Sequence, residues 1–162
     1  MGALIEDTRN KKGQHELKRA HFEQAGEVVI RNALPVGDYQ RPAKVSVDTK
    51  KDIYELAMDL TQDHDRFRRE CEKAKSLGTQ LVILTENEDG VTCLADLAEW
   101  RESDEHFRMR NRNNNAFRHL GGPMAKKCQT MHKRYGVIFG FCTPSEAGAK
   151  VIEILDYYEG GE

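Results

Sequence analysis

Leu81-Val82-Ile83-Leu84 is apolar at four successive positions. Side chains along a strand point alternately to opposite faces, so this run reads as a strand buried on both. Covering such a strand takes helices, and helical periodicity flanks it. Ile53, Leu56, Ala57 and Leu60 recur at i, i+3, i+4 and i+7, one stripe of an amphipathic helix. Further helices are expected over 13–25 and 66–77, closed by Gly26 and Gly78. Another passes through Leu94, Leu97 and Trp100 from a Thr92 cap, and Pro123 suits the first turn of one reaching about 134. Thr143-Pro144-Ser145-Glu146 has the spacing of a capping box before the last helix. Other strands are expected at Ala3-Leu4-Ile5, ending in Glu6-Asp7, at Val28-Val29-Ile30 and at Val137 to Phe141. The turn from Leu34 to Tyr39 enters an extended segment that continues through Lys44 to Val47. Helices alternating with strands imply an α/β domain with a central mixed sheet. No repeat or linker divides the chain. Residues 1–162 are expected to form a single domain, with 101–122 an exposed, basic, Asn-rich insert and 159–162 a tail.

Apolar residues are 38% of the chain and charged residues 32%, so the core is lean and the surface ionic. The formal net charge of −2 supplies no global basic field, so any nucleic-acid surface must be a local patch. Cys71, Cys93, Cys128 and Cys142 form no C-x-x-C pair, which argues against structural zinc and for reduced thiols. The N-terminus lacks a signal peptide, and no run approaches the ~18 apolar residues that span a bilayer. The protein is expected to be soluble, intracellular and cytoplasmic, with no membrane partner.

Asp48 and Lys50 stand two apart at a strand end and share one face, and Asp38 follows Gly37 in the preceding segment. Phosphodiester cleavage can use such a set. Hard cations bind through one or two carboxylates plus substrate phosphate, and a lysine can offset transition-state charge. The same spacing also suits a solvated strand end. The basic stretch holding Arg108, Arg110, Arg112 and Arg118, with Lys126 and Lys127, reads as a phosphate-gripping loop or as a solvated insert. Phe107 and Phe117 could stack on an unpaired base, though packing on the core is favoured. Glu86 could face the acids or cap a turn. Arg66 has a helical partner available in Glu70, and Trp100 reads as core. His64 and His106 have no visible partner.

Several of these segments fall in a familiar order. Asp7-Thr8-Arg9 is followed by Gly37-Asp38-Tyr39, then Asp48-Thr49-Lys50, Arg66-Phe67, the Leu81–Leu84 strand and the closing strand and helix over 136–155. Together they resemble the nuclease domain of the XPF-type structure-specific endonucleases, over most of the chain except 91–122. The family's usual motifs are Asp-Ser-Arg-Glu, Gly-Asp-Tyr or Gly-Asp-Phe, and Glu-Arg-Lys. The resemblance implies a restriction-endonuclease-like core and Mg2+- or Mn2+-dependent cutting of branched, flap or junction DNA, as in repair or recombination. By position, Asp38 and Asp48 would bind metal, with the Thr49 backbone carbonyl as a further ligand. Asp7 would complete the acidic cluster and Lys50 would position the attacking water. Arg9 and Arg66 would join Arg108, Arg110, Arg112, Arg118, Lys126 and Lys127 in contacting DNA. Pairing of two chains is implied by the same analogy. The departures are Asp48 for Glu, Thr49 for Arg, Asn10 for the first motif's Glu, and Tyr54 where an acid usually follows the Lys. They leave open a second reading, a catalytically weak or inactive module of the same type that binds branched DNA or a protein partner.

Overall fold

The computed structural model describes residues 3–41, 45–113 and 116–160. Its strands are β1 (Leu4–Asp7), β2 (Val29–Asn32), β3 (Tyr39–Arg41), β4 (Val45–Lys50), β5 (Gln80–Glu86) and β6 (Ile138–Cys142). They make one sheet in the order β2-β1-β3-β4-β5-β6. β1 runs parallel to β2 and antiparallel to β3, β3 is antiparallel to β4, and β4, β5 and β6 are parallel. The mixed α/β sheet expected from the sequence is therefore present.

The stretch read as one extended segment instead reverses direction. Tyr39 pairs with Val47 and Arg41 with Val45 in an antiparallel ladder. Residues 42–44, including the Lys44 that was expected to begin the strand, lie outside the described residues. Apolar alternation reports which face a residue occupies, not where a chain turns back, so the reversal left no signature in the pattern.

The helices are α1 (Glu16–Gln24), α2 (Ile53–Leu60), α3 (His64–Ser76), α4 (Leu94–Glu99), α5 (Asp104–Arg110), α6 (Gly121–Tyr135) and α7 (Ala147–Gly160). They cover both faces of the sheet. Leu81 and Ile83 pack with Ile53 and Leu56 of α2, Phe67 and Cys71 of α3, Leu97 of α4 and Cys128 of α6. Val82 and Leu84 point the other way, onto Phe22 of α1 and Val151 and Leu155 of α7. Burying each such aliphatic side chain contributes roughly 1.5–3 kcal/mol. Among the described residues no helix is long and apolar enough to cross a membrane. The four cysteines are free thiols.

Most local signals act as read. Glu146 accepts from the backbone N–H of Thr143 at 3.0 Å and from its hydroxyl at 2.6 Å. Thr92 is an exception. It donates its own N–H and hydroxyl to Asp96, and Cys93 occupies the cap of α4. The basic insert is a second exception, because it contains α5. Glu86 neither meets the acids nor caps a turn. It forms a buried ion pair with Lys18 at 2.7 Å, tying α1 to the end of β5.

Gly121 opens α6 with no room for a side chain. A Cβ there would stand 1.7 Å from the Leu97 carbonyl oxygen and 2.7 Å from that of Trp100. Backbone cannot give way as a flexible side chain can, so Gly121→Ala should destabilise by about 3 kcal/mol. Urea denaturation would show this as a lower midpoint; an unchanged midpoint would contradict the close approach of α4 and α6.

Candidate active site

The sheet topology gathers the acids. β1 and β4 both run antiparallel to β3, so the ends of β1 and β4 meet the start of β3 at one edge. That edge carries Asp7, Asp48 to Lys50, and Asp38. The Asp7 N–H donates to the Asp38 carbonyl at 2.8 Å, and the Asp38 N–H to the Val47 carbonyl at 2.8 Å. Gly37, at φ +75°, makes the turn that allows this. A Cβ at Gly37 would lie 2.2 Å from Ser46 Oγ.

Each predicted side chain has definite partners. Asp38 Oδ2 accepts from Thr49 N at 2.7 Å and from Thr49 Oγ1 at 2.8 Å. Lys50 Nζ lies 2.7 Å from Asp48 Oδ2 and 2.5 Å from Asp59 Oδ2. Asp7 is turned to other work: Oδ2 accepts from Arg9 Nε at 2.7 Å and Oδ1 from the Leu34 N–H at 3.1 Å. Among the described residues no three acidic, histidine or cysteine side chains stand together as a ready metal cluster. The physical reason is that the Lys50 ammonium already occupies the space between Asp48 and Asp59.

Two hollows open on either side of this ridge. The larger, about 600 Å³, is lined by Asp38, Asp48, Thr49, Arg9 and Arg66, with His15 on its wall. The other, about 510 Å³, is lined by Asp7, Asp38, Asp48, Lys50 and Glu70. Asp38 and Asp48 line both. Burial, and then the Asp48 charge, push the Asp38 carboxyl well above its ordinary range, against the pull of the Thr49 donors. Burial and Asp48 likewise push Glu70 up to about 7. Burial works against the charge on Lys50, but Asp48 and Asp59 outweigh it and the amine is held protonated. A crowd of carboxylates around one ammonium is an environment poised for additional positive charge.

The sequence reading missed Asp59, Glu70, His15 and Glu102. Asp59 had a signal: it falls within the buried stripe of α2 yet is 3% exposed, and a buried acid requires a partner. Glu102 had one too, with His106 four residues on; His15 and Glu70 gave none, because the groups that face them are far away in the chain.

Segment 101–120 forms a wall of the larger hollow. Arg101 and Leu120 close its base as an antiparallel bridge. Glu102, 1% exposed, sits inside. It accepts from Arg110 Nη2 at 2.7 Å, from the His119 N–H at 3.0 Å, and lies 2.6 Å from His106 Nδ1. His106 stacks on Tyr54, with ring centroids 3.5 Å apart, and Tyr54 meets Trp100 edge-on. Trp100 is half-buried against the core. The tether to Glu102 and the stack on Tyr54 are the partners that His106 lacked in the sequence.

The basic residues divide. Arg9 and Arg66 line the larger hollow and are 66% and 71% exposed. Arg66 faces Asp59 and Asp63, each at 3.5 Å, rather than Glu70. Arg110 also lines it but is bound to Glu102 and to the Phe117 carbonyl. Arg118 pairs with Asp104 at 2.7 Å and covers Phe107, and Lys127 donates to the Leu60 carbonyl at 2.8 Å. Arg108, Arg112, Arg118, Lys126 and Lys127 line neither hollow. Phe107 is half-buried under the Arg110 and Arg118 guanidinium groups and belongs to neither hydrophobic core cluster, so the favoured packing on the core is not what the structure shows. Phe117 does not pack and is 90% exposed. His64 opens α3 and lines neither hollow.

Two solved structures share this architecture. XPF from Aeropyrum pernix in complex with DNA superposes with a TM-score of 0.66 at 18% sequence identity, over 99% of this chain and 66% of that one. XPF from Aeropyrum pernix in a second structure gives 0.65 at 16% identity, over 99% and 64%. The chain thus has the fold of those proteins and spans just under two thirds of their length. No family model and no curated protein matches it.

Glu102 makes the wall pH-sensitive. Its burial opposes the charge, but Arg110, the His119 N–H and His106 outweigh that and hold the carboxyl down to about 2. A depressed carboxyl stabilises the fold above its unfolded value near 4.3 and loses that contribution as pH falls toward 2. Glu102→Gln breaks a buried ion pair and should cost about 3–5 kcal/mol at pH 7. The gap between the urea midpoints of variant and parent should narrow as pH falls from 7 to 3 and close only near pH 2; a constant gap would rule out Glu102 as the acid-labile group.

Proposed function

We propose that the protein is a divalent-metal-dependent endodeoxyribonuclease that hydrolyses phosphodiester bonds in branched, flap or junction DNA. The observation that carries this reading is the meeting of Asp38, Asp48 and Lys50 at one sheet end, beside a hollow lined by the largely exposed side chains of Arg9 and Arg66. DNA as the substrate is supported by the shared fold, since one structure with that fold is a complex with DNA. The preference for branches follows from the motif order described above, as does the pairing of two chains.

The residues fit Mg2+ or Mn2+ as a two-carboxylate site. Such ions need one or two protein carboxylates together with phosphate oxygens. Asp48 Oδ2 is buried and receives no well-directed hydrogen bond despite the nearby Lys50. Asp38 is destabilised as an anion by Asp48. A cation held by Asp38 and Asp48, with the Thr49 carbonyl as a further oxygen, would relieve both. The bound ion would supply Lewis-acid polarisation of the scissile phosphate.

The chain's own groups would do the rest. Lys50 carries three N–H donors and stands within ion-pair distance of Asp48 and Asp59. One of these donors would take a phosphate oxygen or orient the attacking water, and the fixed ammonium would offset negative charge as it develops. Asp7, its oxygens taken by Arg9 and the Leu34 N–H, would act on the site through Arg9, which with Arg66 would bind flanking phosphates.

The test uses labelled flap, junction and linear duplex DNA with Mg2+, Mn2+ or EDTA. Cutting should require metal and favour the branched substrates. Asp48→Asn and Lys50→Ala should each lower the rate by about a hundredfold or more while circular dichroism reports a folded chain. Tight binding of branched DNA with no metal-dependent product would overturn the enzyme in favour of a binding module.

A further inference from the structure

We propose that His15 is a phosphate-binding residue of the larger hollow: a neutral imidazole, fixed by Tyr39 as the Nε2–H tautomer, that donates to a non-bridging oxygen of the DNA backbone. The inference rests on the nuclease reading and adds a residue that neither the motifs nor the acidic cluster suggested.

It begins with Tyr39. This side chain is fully buried, and its hydroxyl lies 2.5 Å from His15 Nδ1. A phenol keeps its proton at neutral pH, and a buried O–H needs an acceptor. Among the described residues, Nδ1 of His15 is the group placed to accept it. A neutral ring that accepts at Nδ1 carries its proton on Nε2. The tautomer is therefore set by a residue 24 positions away.

The surroundings keep the ring uncharged. Burial lowers the His15 pKa to about 4, helped by Lys18 and Arg19 and opposed by Glu6 and Asp48. His15 is 6% exposed and is one of the residues lining the hollow, together with Asp38, Asp48 and Thr49. It also occupies the cap position of α1, a nine-residue helix whose positive end favours an anion.

Phosphate oxygens only accept hydrogen bonds, so Nε2–H is the form that can bind one. An imidazolium would instead pair with the carboxylates and compete for them with a cation. A neutral donor attracts the phosphate without disturbing the acids. Lys18 does not line this hollow and donates instead to Glu86 and to the Gln14 carbonyl.

Histidine-15N-labelled protein gives the direct test. In EDTA, Nε2 should resonate as the protonated nitrogen and Nδ1 as the unprotonated one. The His15 Nε2–H signal should move when a short blunt DNA duplex is added. In parallel, Asn places its amide where Nδ1 was, and Gln reaches the position of Nε2. Loss of a hydrogen bond to a charged group predicts that His15→Asn and His15→Ala lower kcat/KM about ten- to a hundredfold, with His15→Gln within about threefold of the parent. A protonated Nδ1, an unmoved Nε2–H, or a His15→Asn enzyme as active as the parent would overturn the inference while metal-dependent cutting still stood. Absence of cutting by every form, with the tautomer and the duplex-induced shift both seen, would overturn the nuclease reading and leave His15 as a phosphate ligand.

Discussion

Lys50 and the two carboxylates beside it hold the centre of the molecule together. Its ammonium lies within ion-pair distance of Asp48 on its own strand and Asp59 on α2. Buried charge is tolerated only when paired, and each member of this trio compensates the others. The trio therefore fixes where α2 sits relative to the end of β4. It also explains why an acid occurs on the buried face of α2, where every neighbour in the stripe is apolar. Asp38 and Glu70 stand in the same crowded place, where burial and the Asp48 charge oppose their ionisation.

Around that centre the protein has built walls of different character. On one side, the segment between β1 and α1 supplies Arg9, Asn10 and His15. On the other, segment 101–120 folds over a buried Glu102 and brings His106 against Tyr54. This second wall uses arginines that a charge census would assign to DNA. Arg110 and Arg118 spend their donors inside the protein, on Glu102 and Asp104. Arginine serves well there, because its planar fork satisfies several acceptors at once. Arg9 and Arg66, whose side chains are largely exposed, line the hollow instead.

The departures from the family motifs acquire physical meaning in the structure. Thr49, standing where an arginine is usual, donates twice to Asp38 and orients it. Tyr54, standing where an acid is usual, is the platform on which His106 stacks. Asp59, five residues further along α2, pairs with Lys50, and Glu70 of α3 lines the smaller hollow with them. Substitution in the motif thus coincides with redistribution of charge among neighbours that share the same hollow.

By itself the sequence determined the layers: Leu81 to Leu84 demanded cover on both sides, the stripe of Ile53, Leu56, Ala57 and Leu60 supplied it, and Gly37-Asp38 with Asp48-x-Lys50 marked the chemical edge. These are local rules of periodicity, turn chemistry and spacing, which a chain carries in neighbouring residues. Only the tertiary structure decided that β3 and β4 form a hairpin, that Asp59 completes the Lys50 trio, that Glu102 gathers the basic insert, and that Tyr39 sets the tautomer of His15. Each of those depends on groups distant in sequence meeting in a buried place, where hydrogen-bond and charge requirements become strict. No local pattern encodes which distant partner will satisfy them.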